Sequence, residues 1–478
     1  MKKTKNLILG VILFYILESI IITPLPLRKF FNLTHYYTYK GQAINFSNKD
    51  RVLIISPHPD DAVLSCSGVI QDARKVGAQV KIVYITYGSH NETAIIKENK
   101  LKLLTPLGAI KLGERRYNEV LKATNILGLR REDIMFLGFP DFGTLKMWTD
   151  YFAHKSYFSG LTLHNRVFYR TADGFGLPFQ GKEELSALEN IIQSFYPTKI
   201  FYPSLLDLNS DHRATGLFIK AALSDLEGEI HPSLYEYLVH SQGWPLPYGY
   251  FPDYSFSLPN FINNFDLKNV YTVSLNRDEE NLKREAIEDY KSQVDSNKNF
   301  MYSFVKTNEL FFPPHIYKMD QFLPLWRAGE LQKIKIVPYI KSISLSEDSR
   351  YVYYNINFYS GIPLYTKINL FIYEKNKGET FKNSPRYRFI IGKSLLNKPY
   401  YKIISDSRFI SFKADDFKAD IETNRLIIRV SKKYFSRANF FLSSLEIEKG
   451  DIRVAETPWW EIALGQRPGL KNERPGLN

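Results

Sequence analysis

Cysteine is nearly absent: Cys66 stands alone in 478 residues, which excludes an intrachain disulfide and leaves the redox compartment open. No long block of like charge occurs either, although the formal net charge is +13; lysine and arginine are spread among aromatics. No nucleic-acid motif accompanies that charge, so no nucleic acid is expected as a partner. Anionic lipid headgroups or acidic envelope polymers suit such a surface, and solvated charge with no partner is the plainer alternative. The apolar run Leu7 to Ile22 is short for a bilayer span and carries Glu18, although Thr23 to Leu27 would extend it. No small-residue cleavage signal precedes Pro24. With Met1-Lys2-Lys3-Thr4-Lys5 in front, residues 1–30 read as an uncleaved membrane anchor with the bulk of the chain exported. A cleaved segment would make the protein secreted, and a buried helix is the simpler alternative.

What is present is material for a large core, 44% hydrophobic residues, and a length that allows more than one domain. From about residue 51 to 230, apolar strand-like runs alternate with helical patterns, as in a Rossmann-like, doubly wound and mostly parallel α/β sheet. Strands are expected at Val80–Thr86, Ile134–Leu137 and Lys199–Tyr202, and helical spacing covers Glu183–Phe195 and Ala214–Leu226. The aromatic-rich stretch 144–181 lacks a clean period and reads as a lid or a packed insertion.

The most informative segment is His58-Pro59-Asp60-Asp61, directly after Val52-Leu53-Ile54-Ile55. Such a β-branched run reads as a buried parallel strand, and open α/β sheets place ligands at the carboxyl ends of their strands. A second cluster, Asp207-Leu208-Asn209-Ser210-Asp211-His212, follows the strand Lys199–Pro203 and opens a helix. Two histidines and one carboxylate, with a position left open, form the ligand set of a catalytic zinc. The remaining carboxylate of the pair, Asp60 or Asp61, is then free to act as general base.

These residues, in order, resemble the zinc-dependent N-acetylglucosaminyl deacetylases of the PIG-L, or LmbE-like, family. Further matches are Val63–Gly68, Tyr84-Ile85-Thr86-Tyr87-Gly88, Arg116-Tyr117-Asn118-Glu119, Leu127-Gly128, Leu137-Gly138-Phe139-Pro140-Asp141 and Tyr290-Lys291-Ser292-Gln293. The resemblance covers about residues 48–315 and implies an LmbE-like fold there. It implies zinc held by His58, Asp61 and His212, Asp60 as the general base, and Arg116 and Asp141 as contacts to sugar hydroxyls. The sequence departs from the family pattern at Ala62, where an acidic residue is frequent, and at Asn209, where the family has histidine. Asparagine can donate a hydrogen bond to an oxyanion but is no general acid near neutral pH. The acid role therefore passes to Asp60 after it has accepted a proton.

Plainer readings exist for each residue. Asp60 or Asp61 would serve equally as a helix cap, Arg116 and Glu119 as an i,i+3 ion pair, and Asp141 as a turn residue. Cys66 suits a small core position. His90 follows a strand end, on the side expected to form the mouth of the site. His35, His154, His164, His231, His240 and His315 have no partner spacing.

After about residue 330 the texture changes to short alternating runs, among them Ile334–Ser344, Tyr351–Phe358, Lys367–Tyr373, Tyr387–Ile391, Phe409–Phe412, Arg425–Val430 and Phe440–Ile447. They predict an all-β, sandwich-like domain over 330–464, without a cluster of acidic residues and histidines, that either binds polysaccharide or packs on the first domain. Residues 465–478 repeat Arg-Pro-Gly-Leu and read as a disordered tail. The function expected is deacetylation of an N-acetylated amino sugar at the cell envelope. Hydrolysis of another N-acyl amide on the same centre is one alternative. A non-catalytic carbohydrate-binding envelope protein with a degenerate site is the other.

Overall fold

The computed structural model describes residues 41–98, 103–241, 243–259, 270–326, 339–362, 366–393, 399–405, 408–435, 438–449 and 452–464. The expected anchor at 1–30 and tail at 465–478 lie outside the described residues. Among the described residues no helix is long and apolar enough to cross a membrane.

After β1 (Gln42–Ala43), the chain enters β2 (Arg51–Ser56), whose apolar run is buried on both faces as a central parallel strand requires. There follow α1 (Asp61–Lys75), β3 (Gln79–Thr86), α2 (Glu92–Glu98), α3 (Pro106–Ile126), β4 (Ile134–Phe139), α4 (Thr144–Thr149) and α5 (Gly181–Phe195). The unit closes with β5 (Lys199–Pro203), α6 (Ser210–Asp225) and β6 (Ser233–Tyr237). Strands β2 to β6 form one parallel sheet in the order β4-β3-β2-β5-β6. The chain winds one way from β2 through β3 to β4 and the other way through β5 to β6. The crevice at the carboxyl ends of β2 and β5 is therefore the topological switch point.

A smaller sheet joins β1 to β7 (Tyr271–Ser274) and β8 (Asn308–Phe311), with α7 (Arg277–Glu288) and α8 (Lys291–Tyr302) between the last two. This sheet supports α1, which is kinked at the buried Cys66. Just past the kink, the backbone N–H groups of Gly68 and Val69 donate to the Glu309 carboxylate, at 3.0 and 3.3 Å, which also meets Lys283 Nζ at 2.7 Å.

The remaining strands are β9 (Ile316–Tyr317), β10 (Ile340–Glu347), β11 (Tyr351–Phe358), β12 (Thr366–Asn376), β13 (Arg386–Lys393), β14 (Pro399–Ser405) and β15 (Arg408–Ile410). They continue with β16 (Phe417–Ile421), β17 (Arg425–Ser431), β18 (Ala438–Lys449), β19 (Ile452–Glu456) and β20 (Trp460–Ala463). One sheet runs β10-β11-β17-β16 and the other β15-β14-β13-β12-β18-β20-β9, with β19 on β18. Ile343, Tyr354 and Ile428 of the first sheet share a core with Leu370, Phe389 and Phe441 of the second. β9, ahead of the expected start at 330, belongs to this second sheet beside β20.

Strands β12 and β18 are buried on both faces, and their alternation sorts the two cores. Ile368, Leu370 and Ile372 face the sandwich, whereas Phe371 and Tyr373 join the core of the α/β unit. The β domain thus packs on the α/β unit. Arg386 fastens the junction, its guanidinium carbon 3.8 to 4.3 Å from the ring centroids of Phe152, Tyr373 and Trp148. Trp148 and Phe152 come from the stretch 144–181, which is partly a packed insertion.

Candidate metal centre

His58 lies in the turn that leaves β2, and Pro57 and Pro59 flank it. Asp60 occupies the cap position of α1, yet its side chain makes no cap hydrogen bond. The helix start is served by Ser56 instead, whose Oγ accepts the N–H of Ala62 at 3.0 Å. Across the switch point, Asn209 caps α6, its Oδ1 accepting the N–H of Asp211 at 2.8 Å. That cap sets the first turn of α6 so that His212 points inward and is fully buried.

Three atoms from these two loops converge. His58 Nδ1 lies 3.2 Å from Asp61 Oδ2, His212 Nε2 lies 3.1 Å from the same oxygen, and the two ring nitrogens are 3.2 Å apart. A tetrahedral zinc with bonds of about 2.0 Å separates its ligands by about 3.3 Å. The triangle therefore fits such an ion, and its donor types are those zinc prefers.

Each of these groups is oriented from behind. Asp61 Oδ2 also accepts the backbone N–H of His58 at 2.8 Å. Asp207 Oδ2 faces His212 Nδ1 at 3.2 Å and accepts the N–H groups of Val239 and His240, both at 3.0 Å. On the far side of His58, Nε2 meets Asp141 Oδ1 at 3.2 Å and Asp211 Oδ2 at 3.3 Å. Carboxylates behind metal-binding imidazoles fix the tautomer and raise ligand basicity.

Four buried carboxylates around two imidazoles make the site a sink for positive charge. Burial alone would push the histidines down, but Asp141, Asp211 and Asp61 carry His58 well above its usual range. Burial is likewise outweighed at His212, which Asp207 and Asp61 raise to about 9. Asp141 shows the converse: burial works to raise it, and His58 and Arg116 hold it at about 2. A divalent cation would balance the same charge.

The structure brings His58, Asp60, Asp61, Arg116, Asp141, Asn209 and His212 to one end of the sheet. Arg116 and Asp141, the expected sugar contacts, have protein partners here. Arg116 Nη2 holds Asp60 Oδ1 at 2.6 Å while Nη1 donates to the Gly88 carbonyl at 2.9 Å. Asp141 has Oδ1 on His58 and Oδ2 on the N–H of His90 at 2.6 Å. Both side chains are buried, and buried charges take protein partners. The plain i,i+3 pair of Arg116 with Glu119 does not form either; Glu119 instead meets Arg115 and the N–H and hydroxyl of Ser292.

Sequence spacing missed three residues. Asp207 and Asp211 stood in the motif without a role, and His240 had no partner at all. His240 follows β6, the strand beside β5, and its imidazole is within 4.8 Å of the three convergent ligand atoms. Its position at the end of a neighbouring parallel strand was the available signal.

Comparison with known proteins gives one family match and several similar folds. Residues 53–223 match the PIG-L family model, described as GlcNAc-PI de-N-acetylase. No curated protein matches the chain. Among solved structures, an N,N'-diacetylchitobiose deacetylase from Pyrococcus horikoshii is similar at 20% identity and a TM-score of 0.34, over 55% of this chain and 82% of that one. The A40926 pseudoaglycone deacetylase is similar at 16% identity and a TM-score of 0.35, over 55% and 97%. A 4-carboxy-2-hydroxymuconate hydratase from Pseudomonas putida KT2440 is similar at 18% identity and a TM-score of 0.32, over 53% and 82%. The match to the PIG-L family model runs from β2 through the two motif loops and most of α6.

Proposed function

We propose that the protein is a zinc-dependent N-deacetylase acting on an N-acetylglucosamine-type sugar in a glycan, glycolipid or glycoside. The observation that carries this reading is the convergence of His58 Nδ1, Asp61 Oδ2 and His212 Nε2 beside Asp60, a carboxylate no helix cap consumes. His58, Asp61 and His212 would hold the metal. Zinc bound there would polarise the acetamide carbonyl and ease the deprotonation of water.

The chain's own residues supply the rest. Asp60, oriented by Arg116 through one oxygen, takes a proton from the attacking water. The new C–O bond forms as the carbonyl π electrons move onto oxygen. On collapse, the C–N bond breaks and protonated Asp60 returns its proton to the departing amine, giving a free amino sugar and acetic acid, which ionises to acetate in water. Asn209 has its carbonyl committed to the helix cap, which leaves only its NH2 end as an oxyanion donor. His240 adds an imidazole at the same place. Residues 48–315 would form the catalytic unit and 330–464 an attached β unit, with the amino-terminal segment and the net charge of +13 supporting a place at the cell envelope.

The test is acetate release by the full chain from N-acetylglucosamine-containing glycans, with zinc, with chelator and with Asp60→Ala. Release that chelator and Asp60→Ala each abolish is expected. A protein that binds one zinc but releases no acetate would move the substrate elsewhere, and one that binds no metal would end the enzyme reading.

A further inference from the structure

Phe142 carries two liabilities that an ordinary turn would avoid. Its backbone is in the left-handed region, φ 55°, where a bulky side chain is strained, and its ring is 48% exposed. Glycine or asparagine at this position would relieve both. The conformation is nevertheless locked. Asp211 Oδ2 accepts the N–H of Phe142 at 2.6 Å, and Oδ1 accepts the hydroxyl and N–H of Thr144 at 2.6 and 3.3 Å. Tyr157 closes over the next residue so tightly that a Cβ on Gly143 would meet its ring at 2.6 Å.

The lock is built from the metal centre itself. Asp211 precedes His212 in the chain, and its Oδ2 also lies 3.3 Å from His58 Nε2. The result is an apolar ring held 6.4 Å from the His58 ring, centroid to centroid, with the His90 ring edge-on at 5.0 Å. A strained, exposed aromatic tied to a ligand shell is pre-organised for something that binds beside that shell.

We infer that Phe142 is a substrate-positioning residue: its exposed face stacks against the apolar face of the pyranose ring whose acetamide is presented to the His58, Asp61 and His212 centre. The identity of that ring rests on the deacetylase reading, whereas the platform rests on the geometry of Phe142 alone. Aromatic faces take the C–H face of a sugar because equatorial hydroxyls project from the ring edge and leave axial C–H groups on the face, and a rigid ring loses little entropy on binding.

The experiment is calorimetric binding of N,N'-diacetylchitobiose to the zinc-loaded full chain carrying Asp60→Asn, which prevents turnover. Phe142→Gly and Phe142→Trp are then added in that background. Phe142→Gly is expected to raise Kd at least tenfold with zinc content unchanged and Tm equal or higher, because glycine accepts φ 55° without strain. Phe142→Trp is expected to keep Kd within threefold. An unchanged Kd in Phe142→Gly, a loss of zinc alongside the loss of sugar, or no binding by the parent would each overturn the inference. Tight binding in the Asp60→Asn protein without acetate release by the Asp60 protein would sink the deacetylase reading alone.

Discussion

Arg116 and Asp60, 56 positions apart in the chain, form a partly buried ion pair with Nη2 and Oδ1 separated by 2.6 Å. The pair links α3 to the cap position of α1 and aims the proposed base. Arginine is suited to this because its fork serves two acceptors at once, Asp60 and the carbonyl of Gly88. Arg116→Lys reaches only one of them. Its kcat is expected to fall by about a hundredfold, the lower end of what an aligned general base contributes. Zinc content by elemental analysis should stay at the wild-type level, and a drop in both would show that Arg116 supports the metal rather than the base.

Gly88 gives the same arrangement an independent test. Its φ is 63°, and a Cβ there would lie 2.1 Å from Arg116 Nη1. Gly88→Ala must therefore push the guanidinium off Asp60. Steady-state kinetics should show the kcat loss of the arginine variant, and full activity in Gly88→Ala would remove the pair from the mechanism.

Asp207 fixes His212 from behind without being a metal ligand in the convergent set. Partners of this kind typically contribute ten- to a hundredfold in metal affinity, so Asp207→Ala is expected to weaken zinc binding by about that factor. Competition with a chromophoric chelator measures it. Excess zinc should restore most of the activity; failure to do so would mean the loss is structural.

Lys306 is buried with no hydrogen-bond partner among the described residues, and its ammonium lies 5.8 Å from the Phe251 ring centroid. Burial, with help from nearby Lys283, depresses it from 10.5 to about 7. Between those values the unfolded chain holds a proton that the folded one has lost, so stability rises with pH through that window. Below about pH 7 the folded state carries the full cost of the buried charge. Lys306→Met is expected to raise Tm at pH 7, with the gain over wild type shrinking as pH approaches 10. Equal gains at both values would show that the effect is packing, not charge.

Arg386 holds the junction between the two layers of the molecule within 4.3 Å of three aromatic ring centroids, and it donates to the Trp148 carbonyl. Arg386→Ala removes the cation and opens a cavity among those rings. A loss on the order of 3 kcal/mol is expected in denaturant unfolding. A loss under about 0.5 kcal/mol, the level of an ordinary surface substitution, would show that the β domain docks without this contact.

Elements whose hydrophobic period is local were legible from the residues alone. The apolar run of β2 and the alternation at Tyr351–Phe358, found as β11, needed no tertiary information because burial on two faces or one imprints a pattern within a few residues. Strands with weaker patterns were missed: β14 and β16 are short and half exposed, so little in their composition marks them. The convergence of His58, Asp61 and His212 was also legible, since His58 and Asp61 share one turn and His212 opens the helix after a strand.

What those residues touch was a matter for the tertiary structure. Arg116 and Asp141 carry no sequence mark saying that one aims Asp60 and the other backs His58; burial forces both to find protein partners, and only the packing of α3 and the β4 loop decides which. His240 joins the centre because β6 lies beside β5 in the sheet. The docking of the β domain likewise rests on Phe371 and Tyr373 facing away from their own sandwich. The candidate ligand residues thus stand in local clusters along the chain. Their orientation, and the company each charge keeps, arose from contacts between segments far apart in the chain, which no local pattern encodes.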